Sequence, residues 1–222
     1  MKVVFDSSAL ISVSQTCLIN ILGGLKEKMN AEFLIPQVVF NEAVQRPIEI
    51  KRFELNAIRI KKAIDQGWFR VAKVEDKTFF DEVEGLANNC FFIKGNAVRL
   101  LQAGEIEALA IIREQKAEAL AIDERTTRML IENPKQLQAI MQARKNRQIS
   151  IDAKKARLFG GMFQGLSVVR SVELIALAHE FGILGEELPK GPQSLEAALF
   201  AAKYSGCAVS SREINIFLHG KR

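Results

Sequence analysis

The chain has 222 residues and is 48% hydrophobic, enough to bury a full core without disulfide or metal staples. Its net charge of +5 suits a polyanionic partner without requiring one. No apolar run approaches the roughly 20 residues of a membrane span, and no basic region with a long apolar core opens the chain. No membrane association or export is therefore expected, and the reading is a cytoplasmic protein. Cys17, Cys90 and Cys207 stand apart, each among apolar or small residues, and are expected to be buried, reduced thiols. With no CxxC and only His179 and His219, which lie in helical segments without a motif, any metal would have to be held by oxygen.

Val3-Val4-Phe5 is a continuous apolar run, the pattern of a strand buried on both faces of a parallel sheet. It stops on Asp6, at the end where such sheets open a crevice, and Ser7 or Ser8 caps the next helix. A helix pair over Ala9 to about Leu25 breaks near Gln15-Thr16 and ends at Gly23-Gly24. Phe33–Ile35 reads as a strand stopped by Pro36, and Gln37–Val44 as a helix. Within that helix Glu42 follows Val38 and Val39 at helical spacing, a carboxylate on an apolar stripe. Ile48–Gln66 is amphipathic and helical, and Trp68–Ala72 alternates as a third strand. Between Asp76 and Asn96 the pattern is poor, with a helix around Phe79–Leu86 that turns Asp81, Glu82 and Glu84 to solvent.

Gly104-Glu105-Ile-Glu107-Ala-Leu-Ala opens the next helix. Glu105 shares a stripe with Ala108, Leu109 and Ile112. Glu107 is turned about 200° away, given 3.6 residues per turn, and is assigned a supporting or solvated place. Ala119–Ile122 followed by Asp123-Glu124-Arg125-Thr-Thr-Arg128 repeats the opening grammar of apolar run, acid and helix start. From Pro134 to Gln164 the chain is helical and basic, carrying Arg144, Lys145, Arg147, Lys154 and Lys155, a candidate track for a phosphate backbone. Phe159–Met162 is a glycine turn that could act as a hinge. Gly165–Arg170 reads as another buried strand, Ser171–Phe181 as a helix, and Ser194–Tyr204 and Ser210–His219 as the last two helices, the first capped by Ser194. No internal repeat and no low-complexity tract is present.

Asp6, Glu42, Glu105 and Asp123 are the acids that fall at strand ends or on apolar stripes. Brought together they would repel one another and raise their own pKa values until a cation bound. An all-oxygen donor set selects Mg²⁺ or Mn²⁺, whose natural work is phosphodiester hydrolysis. These motifs, with Pro36-Gln-Val-Val-Phe-Asn-Glu42, resemble in content and order those of the PIN-domain ribonucleases, most closely the prokaryotic branch with a Gly-Glu-x-Glu-Ala helix. The resemblance covers most of the chain. It implies a three-layer α/β/α fold around a mainly parallel sheet, as one domain over 1–222. It further implies that Asp6, Glu42, Glu105 and Asp123 are the metal-binding and catalytic acids, and that Ser8, Glu107 and Glu124 support them. Its activity would be cleavage of single-stranded RNA, as a toxin with an antitoxin partner or as a processing enzyme, and a homodimer is open. Arg125, Arg128 and the basic segment would bind the nucleic acid. Two segments, 76–96 and 134–164, look inserted relative to compact members. The competing readings are an RNA-binding subunit without useful turnover and a phosphatase with Asp6 as nucleophile. The second is disfavoured because Ser8 stands where it needs an aspartate. No GxGxxG follows the first strand, which disfavours a dinucleotide site.

Overall fold

The computed structural model describes residues 1–219. Lys2–Phe5 forms strand β1, and Asp6 caps helix α1 (Ser7–Gln15) by accepting the Ser8 N–H at 2.9 Å. Cys17 follows in a tight turn at φ 63° and is exposed, not buried as expected, because the turn holds it outside the core. Helix α2 (Asn20–Lys28) continues through Gly23 and Gly24 instead of ending there. A Cβ on Gly23 would lie 2.6 Å from the Trp68 indole, and one on Gly24 2.8 Å from Ile183. Both glycines therefore serve close packing and not a helix stop.

Strand β2 (Glu32–Pro36) enters α3 (Gln37–Phe40), which widens into a π-helical turn, Asn41–Gln45, that carries Glu42. Helix α4 (Lys51–Asp65) and strand β3 (Phe69–Ala72) follow. Helix α5 (Lys77–Ala87) leaves Asp81 and Glu82 exposed, and Glu82 pairs with Arg113 at 2.8 Å. The sequence pattern hid the next two strands, β4 (Phe91–Ile93) and β5 (Asn96–Ala97), joined by Lys94 and Gly95 at φ 51° and 79°. Then come α6 (Ala103–Gln115), β6 (Ala119–Ala121), α7 (Arg125–Glu132), α8 (Pro134–Lys145), β7 (Ser150–Ile151), α9 (Ala153–Met162) and β8 (Ser167–Val169). Four helices close the described chain: α10 (Ser171–Glu180), α11 (Leu184–Glu187), α12 (Pro192–Tyr204) and α13 (Ser211–His219). Gly160 and Gly161 lie inside α9, so no hinge forms there. Helix α12 starts two residues before Ser194, with Pro192 in its first turn and Gly191 at its cap.

The main sheet has the order β3-β2-β1-β6-β8, and every pairing is parallel. The chain winds outward from β1 to β3, then returns to the other side of β1 for β6 and β8. Strand order thus reverses between β1 and β6, which leaves a crevice at their carboxyl ends. The period-two alternation of strands divides the core. Val3, Phe5, Phe33 and Ile35 face one layer, with α1, α2, α4, α10 and α12; Val4, Leu34 and Leu120 face the other, with α5, α6, α7 and α9. The result is the three-layer α/β/α architecture. Strand β8 is the sheet edge, with Ser167 exposed and both valines only half-buried, and so is not the buried strand its apolar run suggested.

The two segments that look inserted in sequence assemble with each other. Strand β4 pairs antiparallel with both β5 and β7, Phe91 standing opposite Ile151, and α5 packs on α9. The 134–164 segment is therefore half of a small α/β lobe and not a free helical insertion. Phe91 and Phe159 are fully buried together with Leu101 and Ile106 of the main body. No single helix among the described residues is long and apolar enough to cross a membrane. Because the lobe and the main body share this core, Phe91→Ala should cost about 3–5 kcal/mol and leave one cooperative urea transition. A separate early transition for the lobe would contradict the shared core.

Candidate active site

The crevice between β1 and β6 collects the acids. Asp6 follows β1 directly, its N–H donates to the Ala121 carbonyl at 2.9 Å, and its side chain is 4% exposed. Ser8 fixes it from both sides: the Ser8 N–H and hydroxyl donate to one Asp6 oxygen, and the Ser8 Oγ accepts the Asp123 N–H at 3.0 Å. One serine thereby ties the ends of β1 and β6 together. Glu42 reaches the same place from the π-helical turn, over the start of α6. A Cβ on Gly104 would stand 3.1 Å from the Glu42 Oε2, so glycine here is what lets the carboxylate approach the helix.

Helix α6 opens with its own reciprocal cap, Glu105 accepting the Gln102 N–H, while its other oxygen accepts the Thr127 hydroxyl at 3.2 Å. The helix is buried nearly all round, so of the two places open to Glu107 it takes the supporting one. Glu107 is 9% exposed and accepts the Val38 N–H at 2.6 Å. It thereby satisfies an orphan donor in the first turn of α3 and joins that helix to α6. A polar residue within an otherwise apolar all-round helix was the available signal.

The Asp123 carboxylate accepts the Ser171 N–H at 2.7 Å and the Ser171 hydroxyl at 2.8 Å. It is 1% exposed, at the start of α10, where unpaired N–H groups and the helix dipole favour a carboxylate. Its neighbour Glu124, expected only in support, caps α7 by accepting the Thr127 N–H at 2.8 Å, and its charge acts on both Asp6 and Glu105. Asp6, Glu42, Glu105 and Glu124 thus act on one another through their charges, with Glu107 next to Glu42, while Asp123 is joined to Ser8 by its N–H and to Ser171 by its carboxylate.

Charge in this group is poorly tolerated. Burial, and then the Glu124 charge, raise the Asp6 pKa against the Ser8 hydrogen bonds that lower it. Burial and the Asp6 charge raise Glu42, while Ser7 and Arg46 oppose the rise. Burial foremost, with Asp6 and Glu124, pushes Glu105 up to about 7, and burial with Glu42 raises Glu107. Among the described residues no three of these side chains converge as a ready metal cage. Their chemistry nonetheless fits a hard divalent cation: the donors are carboxylate oxygens, and a cation would relieve the burial cost and repulsion that raise their pKa values.

The C-terminal segment supports this floor. The Ala208 N–H donates to the Asp123 carbonyl at 3.1 Å, and burial with the Asp123 charge pushes the Cys207 thiol up to about 12. Arg170, 6% exposed, donates to Glu173, to Glu213 at 2.8 Å and to the Ala208 carbonyl at 3.1 Å. Of the basic residues, Arg144, Lys145, Arg147 and Lys154 are exposed, Lys155 and Arg125 are half-buried, and the Arg128 Nε is buried without a partner.

A family model described as a PIN domain matches residues 2–136. The chain belongs to the PIN-domain family. The match spans β1 to the start of α8 and includes Asp6, Glu42, Glu105, Glu107, Asp123 and Glu124. No curated protein and no solved structure matches the chain. The family assignment gives the fold a nuclease type and makes a divalent metal its usual cofactor.

The pKa shifts give a sign for stability. Glu105 binds its proton more tightly folded than unfolded, so without metal, stability should fall as pH rises from about 4.5 to about 7 and level off above. The full shift corresponds to about 3 kcal/mol at most. Urea unfolding in EDTA should show this decline, and Glu105→Gln should flatten it. Mn²⁺ should stabilise wild type more at about pH 8 than at about pH 5, since it competes with protons for the same oxygens.

Proposed function

We propose that the chain is a metal-dependent endoribonuclease that hydrolyses phosphodiester bonds in single-stranded RNA. The observation that carries this reading is the group of buried, mutually repelling carboxylates at the β1–β6 crevice of a PIN-domain chain. Asp6, Glu42, Glu105 and Glu124 would hold Mg²⁺ or Mn²⁺. When bound, the ion would lower the pKa of a water and neutralise charge at the scissile phosphate. Ser8 keeps Asp6 oriented, and Glu107 holds α3 against α6 so that Glu42 stays over Gly104. Asp123 keeps the end of β6 in register with Asp6 through the Ser8 bridge. Arg144, Lys145, Arg147 and Lys154, exposed on the lobe, supply a cationic surface for the strand.

An RNA-binding subunit without turnover is the second reading, favoured by the commitment of both Asp123 oxygens to Ser171. Incubation of a labelled, unstructured RNA with Mn²⁺, Mg²⁺ or EDTA separates the two. The nuclease reading expects cleavage that needs the metal, is lost in Asp6→Asn and Glu105→Gln, and survives in reduced form in Asp123→Asn. Binding without cleavage in wild type selects the subunit reading. Neutralising Arg144, Lys145, Arg147 and Lys154 together should weaken RNA binding and flatten its salt dependence, by roughly 0.7 in log–log slope for each phosphate that is no longer neutralised. An unchanged slope would move the strand off the lobe.

A further inference from the structure

A cleft of about 350 Å³ opens beside the acids, between α1, the π-helical turn and the first turn of α4. Glu42 forms part of its wall, so the cleft and the carboxylate group share a residue. Its lining is mostly apolar: Ile50 and Phe53 border it, 47% and 41% exposed, at a helix start that has no side-chain cap. Such side chains are left partly wet only at an energetic cost, about 25 cal/mol for each Å² of apolar surface. Three polar groups interrupt the lining. Arg46 is exposed at the rim, next to Glu42 in space and in the chain. Gln15 is exposed on α1, and Asn56 lies on α4. The Ser14 hydroxyl lies 3.2 Å from the Asn56 backbone carbonyl and 3.4 Å from its Oδ1, which holds Asn56 at the cleft wall.

We infer that this cleft takes one nucleobase of the RNA strand, next to the phosphodiester held at Asp6 and Glu42, with the base stacked on Phe53, its edge on Asn56 and Gln15, and the adjoining phosphate on Arg46. The inference rests on the nuclease reading for its neighbour but not for its own test. Single-stranded RNA is recognised by splaying bases out, stacking them on aromatic or guanidinium planes and bonding their edges. The cleft offers an aromatic face, amide donors and one cation within a single apolar wall. A divalent cation held at the neighbouring acids would draw a phosphate to that side, so an occupant that carries phosphate together with a flat apolar face fits both. An apolar peptide side chain would leave Arg46 and the amides unused, and so fits less of the lining. Amide donors favour a base that presents carbonyl oxygens at its edge.

The test uses a short, fluorescein-labelled, unstructured oligoribonucleotide in which an abasic residue is moved along the strand one position at a time. Binding is read by fluorescence anisotropy with Ca²⁺, and cleavage of the same set is read with Mn²⁺. Wild type should lose affinity roughly tenfold at one abasic position, as expected for one stacked base. Phe53→Ala should lose a similar factor on intact RNA and become indifferent to that position, while Phe53→Tyr should retain both properties. Phe53 is partly exposed, so Phe53→Ala should melt close to wild type, which confirms that folding is intact. Phe53→Ala binding intact RNA as wild type does, or losing the same factor at every abasic position, would overturn the subsite. So would sedimentation showing a dimer that Phe53→Ala dissociates, since a second copy would then fill the cleft. Absence of cleavage with base-dependent binding preserved would sink the nuclease reading alone. No RNA binding at all would sink both.

Discussion

Placing several carboxylates within a few residues of a sheet's carboxyl edge is costly, and much of the structure around the crevice serves to hold them there. Asp6, Glu42, Glu105 and Glu107 are raised above their ordinary pKa by burial first and by neighbouring charges second. A free chain would separate these groups, so the fold has to fix each one from behind. It does so with neutral donors: Ser8 on Asp6, Thr127 on Glu105 and Glu124, and the Val38 amide on Glu107. Serine, threonine and backbone donors orient carboxylates without cancelling their charge. The group therefore keeps most of its demand for a cation, Arg46 offsetting it only at Glu42.

The one strongly charged support lies a layer deeper. Arg170 is buried against Glu173 and Glu213, and its bond to the Ala208 carbonyl ties the last helices to the strand end that carries Asp123. Arg170 is the buried member while both glutamates are partly open to solvent, so the pairs add little net stability, but removing both acids would leave a buried charge stranded. That asymmetry makes the clamp a device for specifying position. It links residues beyond the matched 2–136 span to the floor of the site within it. The C-terminal helices are in this sense part of the site's foundation.

The lobe made from 77–97 and 134–162 has a comparable logic. Each segment leaves strand groups that the other pairs, β4 bonding to β7 between them. Phe91 and Phe159 then extend the core laid down by α6, so the lobe is anchored to the helix that carries Glu105. Its cationic residues stay on the outside, which separates the basic surface from the acidic crevice by a shared hydrophobic layer.

The sequence alone determined what depends on short-range pattern. The continuous apolar runs at Val3–Phe5 and Ala119–Ile122, each ended by an acid, marked the two central strands, and their grammar with Glu42 and Glu105 was enough to read the family and the layered fold. The tertiary structure decided what depends on where a carboxylate finds donors. Asp123 and Glu124 are adjacent in the chain, and the side chain nearer the N-terminus of α10 is taken by that helix while the other is left to the site. No local pattern carries this, because Ser171 lies 48 residues away. For Glu107 periodicity left a supporting and a solvated place open, and the structure takes the supporting one because α6 has almost no wet face. The pairing of β4 with β7 was likewise invisible, since two- and three-residue strands have no periodicity to detect and are defined only by the backbone groups they meet across the fold.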